Sequence, residues 1–225
     1  YIGNNMVLQQ NTEIKIPGVT APGAKVTVTP SWGKAVKTTA DAQGNFTVTL
    51  ATPAAGGPFS IVFDDGDILT VDNILSGEVW LCSGQSNMEM PVAGWGRVKD
   101  FETEIAMANN PNVRLLQVHK NISTVPLNTV EFNGGGWMEC TSATVPEFSS
   151  CAYFYARELA DKLGVPVGVI DTTWGGTPVE AWTPEEYMQI VPGFETELAA
   201  LRRQAAMPTR CAKSTTAAMP NGKKA

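Results

Sequence analysis

The hydrophobic pattern of this 225-residue chain changes in kind at about Gly77, and that change limits what it can fold into. Upstream, short runs alternate apolar and polar residues: Glu13-Ile14-Lys15-Ile16, Lys25-Val26-Thr27-Val28-Thr29, Phe46-Thr47-Val48-Thr49-Leu50, Phe59-Ser60-Ile61-Val62-Phe63 and Ile68-Leu69-Thr70-Val71. A period of two with β-branched residues marks strands buried on one face. Pro17-Gly18, Pro22-Gly23 and Asp41-Ala42-Gln43-Gly44-Asn45 punctuate the runs, and Asp64-Asp65-Gly66-Asp67 reads as a hairpin turn. Strands at this spacing predict a small antiparallel sandwich. The three aspartates of the turn lack EF-hand spacing and its closing glutamate, so they do not point to calcium.

Downstream, Val79-Trp80-Leu81-Cys82 is a continuous apolar run of the kind buried on both faces. Arg97 to Asn109 reads as a polar helix ended by Pro111, and Val113 to Val118 as a second strand. Ser149 or Ser150 can cap a helix with Ala152, Ala156, Leu159 and Leu163 on one face and Gly164 as its stop. Val165 to Ile170 is a third buried strand, and Thr183-Pro184-Glu185-Glu186 has capping-box spacing with proline at the first helical position. Alternating strands and helices predict a parallel sheet with helices on its faces. The expected division is a β-sandwich over 1–76 and an α/β domain over 77–205, with the boundary between Val71 and Val79.

Hydrophobic residues at 43%, with 6 Trp and 8 Phe, support a packed core. The net charge is −6, which argues against nucleic acid or an anionic membrane surface as partner. That charge is uneven: after Glu197 come six basic residues and no acidic one, so residues 206–225, with Pro208 and Pro220, read as a basic tail or linker. No stretch approaches the ~20 apolar residues of a membrane span, and Tyr1-Ile2-Gly3-Asn4 is not the basic start of a signal peptide, so an exported form would already have lost its signal. Cys82, Cys140, Cys151 and Cys211 contain no Cys-x-x-Cys pair and lie far from the single histidine, which argues against a zinc site. The spacing of Cys140 and Cys151 permits a disulfide without requiring one.

In open α/β sheets ligands bind past the carboxyl ends of strands. Two segments are expected there, Ser83-Gly84-Gln85-Ser86-Asn87-Met88-Glu89-Met90 after the run ending at Cys82, and Asp171-Thr172-Thr173-Trp174-Gly175-Gly176-Thr177 after the run ending at Ile170. A serine on a tight turn beside a glycine presents its Oγ above the sheet, with backbone N–H groups close by for a reacting oxyanion. Ser86 is therefore a candidate acyl-transfer nucleophile. Gly-x-Ser-x-Gly is not met, since Met88 occupies the second glycine position, and an ordinary loop serine remains an open reading. Gln85 and Asn87 can orient the turn or contact substrate; Trp174 and Trp182 can stack on a sugar ring or fill a core.

Gly84-Gln85-Ser86-Asn87-Met88, with Met6-Val7-Leu8-Gln9-Gln10 upstream and Trp174-Gly175-Gly176-Thr177-Pro178-Val179-Glu180-Ala181-Trp182 downstream, resembles the sialate O-acetylesterase family of SGNH-type carbohydrate esterases. The resemblance runs from about Asn5 to about Thr183. It implies a β-sandwich followed by a flavodoxin-like α/β domain with no cofactor and no metal. Ser86 would be the catalytic nucleophile that becomes acetylated. Its N–H, with that of Gly175 or Gly176, would hold the oxyanion, and Gln85, Asn87 and Trp174 would face the acetylated carbohydrate.

The chain departs from that family where the base should be. An Asp-x-x-His segment and a Gln-Gly-Glu segment are expected and neither is present; the last aspartate is Asp171, and Gln43-Gly44 lies in the sandwich. The single histidine, His119, ends a strand run with no acidic neighbour in sequence to orient it. The expectation is the front part of an esterase whose domain is incomplete at its C-terminal side, completed by a further segment or a second polypeptide. Removal of acetyl from 9-O-acetylated sialic acid leads; acetyl xylan or another glycan, and a non-catalytic carbohydrate-binding protein, stay as alternatives. Such sugars favour an extracellular, periplasmic or lysosomal setting.

Overall fold

The structure is a computed structural model that describes residues 1–123, 127 and 129–206. The basic tail from 207 onward and Cys211 lie outside the described residues. In chain order the strands are β1 (Val7–Gln9), β2 (Glu13–Val19), β3 (Lys25–Pro30), β4 (Val36–Thr39), β5 (Asn45–Ala51), β6 (Gly56–Asp64), β7 (Ile68–Gly84), β8 (Asn110–Gln117), β9 (Met138–Cys140) and β10 (Val167–Thr173). The helices are α1 (Ser86–Glu89), α2 (Phe101–Met107), α3 (Ser150–Leu163), α4 (Glu185–Met188) and α5 (Glu195–Ala206). Residues 1–121 and 129–177 form one compact unit; 122–128 with the chain from Pro178 form another.

The first unit is organised by β7. Its first half pairs antiparallel with β6, Leu75 to Gly77 pair in parallel with β1, and Glu78 to Gly84 pair in parallel with β10. One sheet of eight strands results, in the order β4-β3-β6-β7-β10-β8-β9 with β1 also on β7. The antiparallel pair β2–β5 supplies a second layer over the upstream part of that sheet, and the Asp64–Asp67 turn joins β6 to β7 as expected.

This corrects the expected start of the strand. The strand read as starting at Val79 starts at Ile68 and runs unbroken through Gly77. The pattern changes there because β7 changes partners. At Gly77 the backbone of β7 lies against Pro166, so close that a Cβ would fall 1.9 Å from the Pro166 carbonyl oxygen. The Gln9 and Gln10 amides donate to the Glu78 carboxylate at 3.2 and 2.9 Å, and Gln9 Oε1 accepts from the Val79 N–H. The Met6–Gln10 motif thus clamps β7 where its partners change.

Two cores lie on opposite faces of the sheet. One collects Met6, Ile16, Val28, Val48, Ile61 and Ile74 with Leu116 and Trp137 from the downstream half. The other collects Val113, Leu115, Val167 and Val169 under Ala152, Tyr153 and Ala156 of α3. Leu115 and Leu116 serve different cores because successive strand side chains point to opposite faces. Buried Arg114 adds a polar tie, donating to the Pro111 and Asn5 carbonyls and the Asn73 side chain and pairing with Glu139 at 3.2 Å.

Several local expectations shift. Ser149 and Gly164 cap α3 as expected, but its buried face is Ala152, Tyr153, Ala156 and Ala160, and Leu163 is exposed. The Arg97–Asn109 helix shortens to α2, because Asp100 is left-handed (φ 54°) and Ala93 bridges to Arg97. Pro111 lies inside the start of β8, where the register to β9 is shifted and its missing N–H is tolerated. Trp80 and Leu81, on opposite faces of β7, are both exposed where β10 is its only strand partner among the described residues, although the Trp80 ring meets Tyr155 of α3 edge-on at 5.2 Å. Thr183 does not cap α4: its hydroxyl donates to the Val179 carbonyl. Cys140 is buried and Cys151 exposed, and both thiols are free.

Candidate active site

β7 and β10 run parallel with Cys82, Ser83 and Gly84 opposite Asp171, Thr172 and Thr173. Their carboxyl ends therefore deliver the two glycine-bearing segments to one place. β10 extends three residues beyond the expected Ile170, so Asp171 is a strand residue and the loop begins at Trp174, whose N–H donates to the Gly84 carbonyl at 2.9 Å. Gly84 turns the chain out of β7 at φ 144°, a conformation that favours glycine.

Ser86 opens α1. Gln85 is the cap: its Oε1 accepts from the Ser86 N–H at 3.3 Å and from Ser86 Oγ at 3.1 Å. Three consecutive residues at the start of α3 satisfy carbonyls of α1 and its C-cap Met90 that have no helical partner. Ser149 Oγ donates to Met88 O, Ser150 Oγ to Met90 O at 2.8 Å, and Cys151 Sγ to Asn87 O at 3.3 Å. Asn87 is exposed, and the bond it makes is through its backbone.

Gly175 packs directly on the serine. A Cβ there would lie 3.2 Å from Ser86 Oγ and 2.5 Å from Glu89 Oε2. The Gly175 N–H donates to Glu89 Oε2, and Lys120 Nζ pairs with Glu89 Oε1. Burial pushes the Glu89 carboxyl up, but the Lys120 and Gly175 hydrogen bonds and the Lys120 charge outweigh it and hold the group below its ordinary range. Lys120 also stands 5.9 Å over the Trp174 ring. Gly176 follows at φ 77°, and its N–H makes no hydrogen bond among the described residues.

Beside Glu89 opens a cleft of about 450 Å³. Buried Asp171 lines it and accepts from Thr173 Oγ1 at 2.6 Å, the Thr173 N–H at 3.1 Å and Gln117 Nε2 at 3.0 Å. Burial raises the Asp171 carboxyl, the bonds from Thr173 and Gln117 oppose this, and the nearby Glu89 charge adds to the rise. From Asp171 a chain of amides runs outward: Asn133 Nδ2 donates to Gln117 Oε1 at 2.8 Å, which turns Asn133 Oδ1 toward His119 Nδ1 at 3.1 Å. With that oxygen accepting, Nδ1 carries the imidazole proton, and Nε2 makes no hydrogen bond among the described residues. The orienting partner of His119 is thus an amide.

The sequence profile described as carbohydrate esterase, sialic acid-specific acetylesterase matches residues 76–207, and one for bacterial Ig domains matches residues 3–68. The chain belongs to this family of carbohydrate esterases. It carries an Ig-like domain followed by an esterase domain of mixed sheet and helices. Human sialate O-acetylesterase is 33% identical over 202 residues, covering 81% of this chain and 38% of that protein. The mouse enzyme of that name is 32% identical over 200 residues, covering 81% and 36%. A carbohydrate acetylesterase from Xanthomonas citri has a crystal structure that superposes with a TM-score of 0.78 at 33% identity, over 92% of this chain and 45% of that one. The chain thus spans less than two-fifths of the length of these curated esterases. No helix among the described residues is long and apolar enough to cross a membrane.

Of the residues expected to gather in this esterase domain, Gln85, Ser86, Trp174, Gly175 and Gly176 are brought together; Trp182 falls in the other compact unit. Glu89, Lys120, Gln117 and the Ser149–Cys151 run were not anticipated. Glu89 had a legible signal, because Ser86-Asn87-Met88-Glu89 has capping-box spacing, although Gln85 is the residue that caps. Lys120 and Gln117 had none, since only tertiary pairing brings Gln117 beside Asp171 and Lys120 to Glu89.

Proposed function

We propose that this chain carries the nucleophile of a serine esterase that removes O-acetyl groups from carbohydrate, through an acetyl-Ser86 intermediate. The observation that supports it most is the approach of Gly175 to Ser86 Oγ at the paired carboxyl ends of β7 and β10. Ser86 Oγ leaves Gln85 Oε1, gives its proton to a base and attacks the acetyl carbonyl; the oxyanion is held by backbone N–H groups until the sugar alkoxide departs with a proton. The Ser86 N–H, whose 3.3 Å bond to Gln85 Oε1 is given up when Ser86 Oγ leaves that amide, is one donor. Of the two glycines Gly176 is the better second, because the Gly175 N–H is occupied by Glu89. Water, activated by the same base, then hydrolyses the acetyl-enzyme.

The relatives' name points to an O-acetylated sialic acid, for which the 9-O-acetyl form is our leading reading, and the charge of the cleft favours the neutral-glycan reading developed below. We assign 1–76 to the sandwich, 77–205 to an SGNH-type, flavodoxin-like domain and 206–225 to a tail, in an extracellular, periplasmic or lysosomal protein. The base comes from further polypeptide, in cis or as a second chain, because the single histidine is committed through Nδ1 to Asn133 and not to a carboxylate. Acetate release measured on the 225 residues should not exceed that of Ser86→Ala, and joining the remaining polypeptide should restore Ser86-dependent turnover. Ser86-dependent turnover by the chain alone, abolished by His119→Ala, would identify His119 as the base and overturn the second half of this reading. Failure of the completed protein to lose activity with Ser86→Ala would overturn the first.

A further inference from the structure

Trp95 is 65% exposed at the rim of the cleft beside Glu89, and the chain around it is built to keep it there. The Gly94 N–H donates to the Gly96 carbonyl at 2.8 Å, Ala93 N to Pro146 O at 2.8 Å and Val98 N to Val92 O at 3.0 Å, so the loop is tied at its tip and both sides. Both flanking glycines are pressed against the body of the protein. A Cβ on Gly94 would fall 2.7 Å from Glu147 Oε2 and 2.8 Å from Pro91 Cγ, and one on Gly96 would fall 2.7 Å from Met90 Cγ. The loop packs through the glycines and leaves the largest side chain outside. Exposing an indole forgoes ~2 kcal/mol or more of burial, so a fold that holds one out rigidly leaves it available to a ligand.

The ligand must suit the rest of the cleft lining. In the same lining the amide chain from Asp171 through Gln117 and Asn133 holds His119, whose Nε2 makes no hydrogen bond among the described residues, a polar group fixed before anything binds. An aromatic face with fixed hydrogen-bonding groups matches a pyranose ring, which has an apolar C–H face and a rim of hydroxyls. Charge narrows the class. The cleft is lined by Glu89, Glu147 and Asp171 against one lysine, Lys120, which is already paired with Glu89. A sugar carboxylate would meet uncompensated negative charge at Glu147 and no uncommitted lysine or arginine among the lining residues.

We infer that this cleft is a carbohydrate subsite for uncharged pyranose rings, with Trp95 as its stacking platform. The cleft lies on the Glu89 side of Ser86, so on the esterase reading the ring bound on Trp95 is the sugar part of the acetylated substrate; binding itself does not depend on that reading.

The test uses the 225-residue chain labelled with fluorotryptophan, in which the resonance absent from Trp95→Phe identifies Trp95. Xylotriose, cellotriose and N-acetyllactosamine serve as neutral probes and N-acetylneuraminic acid as the charged one. At least one neutral sugar should shift the Trp95 resonance saturably, and Trp95→Ala should weaken its binding by about tenfold, the loss expected for one aromatic stacking contact. Trp95→Phe should recover part of the affinity, and N-acetylneuraminic acid should bind more weakly than that neutral sugar. Equal affinity in wild type and Trp95→Ala, or no response of the Trp95 resonance to any neutral probe, would overturn the subsite. Tighter binding of N-acetylneuraminic acid would overturn the assignment to uncharged sugars. Acetate release is not part of this test, so xylotriose binding through Trp95, together with a completed protein whose activity survives Ser86→Ala, sinks only the esterase reading.

Discussion

The Gly175 N–H donates to the carboxylate of Glu89, one helical turn along from Ser86. That bond holds the Trp174–Gly176 loop over the serine, with Glu89 kept ionised by Lys120. Gly175→Ala adds a Cβ that meets Glu89 Oε2 at 2.5 Å and Ser86 Oγ at 3.2 Å. Glu89 can give way only by leaving Lys120 or the loop. We expect ~1–3 kcal/mol of lost stability from overpacking, and a fall in Ser86-dependent acetate release by the completed protein of ~10²-fold, the loss that follows a misplacement near 1 Å. Urea unfolding and steady-state assays measure the two; unchanged turnover would show that the loop does not need this close approach.

Glu89 and Asp171 are shifted in opposite directions, and their stability effects run opposite ways with pH. Glu89 is depressed, so its contribution is present above its unfolded value of ~4.3 and is lost as pH falls through the folded one. Asp171 is raised, so the native state binds its proton more tightly, and stability declines as pH climbs from the unfolded ~3.9 through the folded value. Relative to wild type, Glu89→Gln should therefore lose ground as pH rises through the Glu89 window, and Asp171→Asn should gain ground through the Asp171 window. Urea midpoints between acid and neutral pH measure both slopes; slopes of the same sign would refute the assignment.

Ser86, the two-part patterning and the caps of α3 were legible in the chain because each is a local signal: a turn serine beside glycine, a change of period, a serine before a helix and a glycine after it. The extent of β7 was not. Val71 and Val79 look like parts of different strands since their neighbours differ, and nothing local records that β6, β1 and β10 take turns along one backbone. Trp80 and Leu81 read as buried for a related reason, since an apolar run does not say how many partners its strand has. The polar half of the site was hidden for the same cause. Lys120 and Glu89 are 31 residues apart, Gln117 and Asp171 54, and tertiary pairing alone makes them neighbours.

A shared strand makes a thermodynamic prediction. The two cores meet across one sheet, with Leu116 and Trp137 packing among the sandwich residues, so neither half can open without exposing part of the other. Urea unfolding of residues 1–177 followed by tryptophan fluorescence and by far-ultraviolet dichroism should give coincident single transitions. Gly77→Ala, with its Cβ 1.9 Å from a backbone oxygen, should lower that transition as a whole by ~3 kcal/mol or more. Two separated transitions, with Gly77→Ala moving only one, would show that the halves fold independently.

Ser149 ties α1, which Ser86 opens, to the start of α3. Fully buried, its Oγ accepts from the Ala152 N–H at 3.1 Å to cap α3 and donates to the Met88 carbonyl of α1. Ser149→Ala removes a cap worth ~1 kcal/mol and also leaves the Met88 carbonyl without its hydroxyl partner, a further ~1–3 kcal/mol if no water replaces it. Cys151→Ala removes only a weak thiol donor at an exposed position, so its effect should stay within ~0.5 kcal/mol. If α3 positions the Ser86 turn through these bonds, Ser149→Ala should slow modification of Ser86 by a fluorophosphonate in the completed protein, followed by intact mass, far more than Cys151→Ala does. Equal rates in the two variants, with Ser149→Ala still folded, would mean that α1 holds its shape without α3.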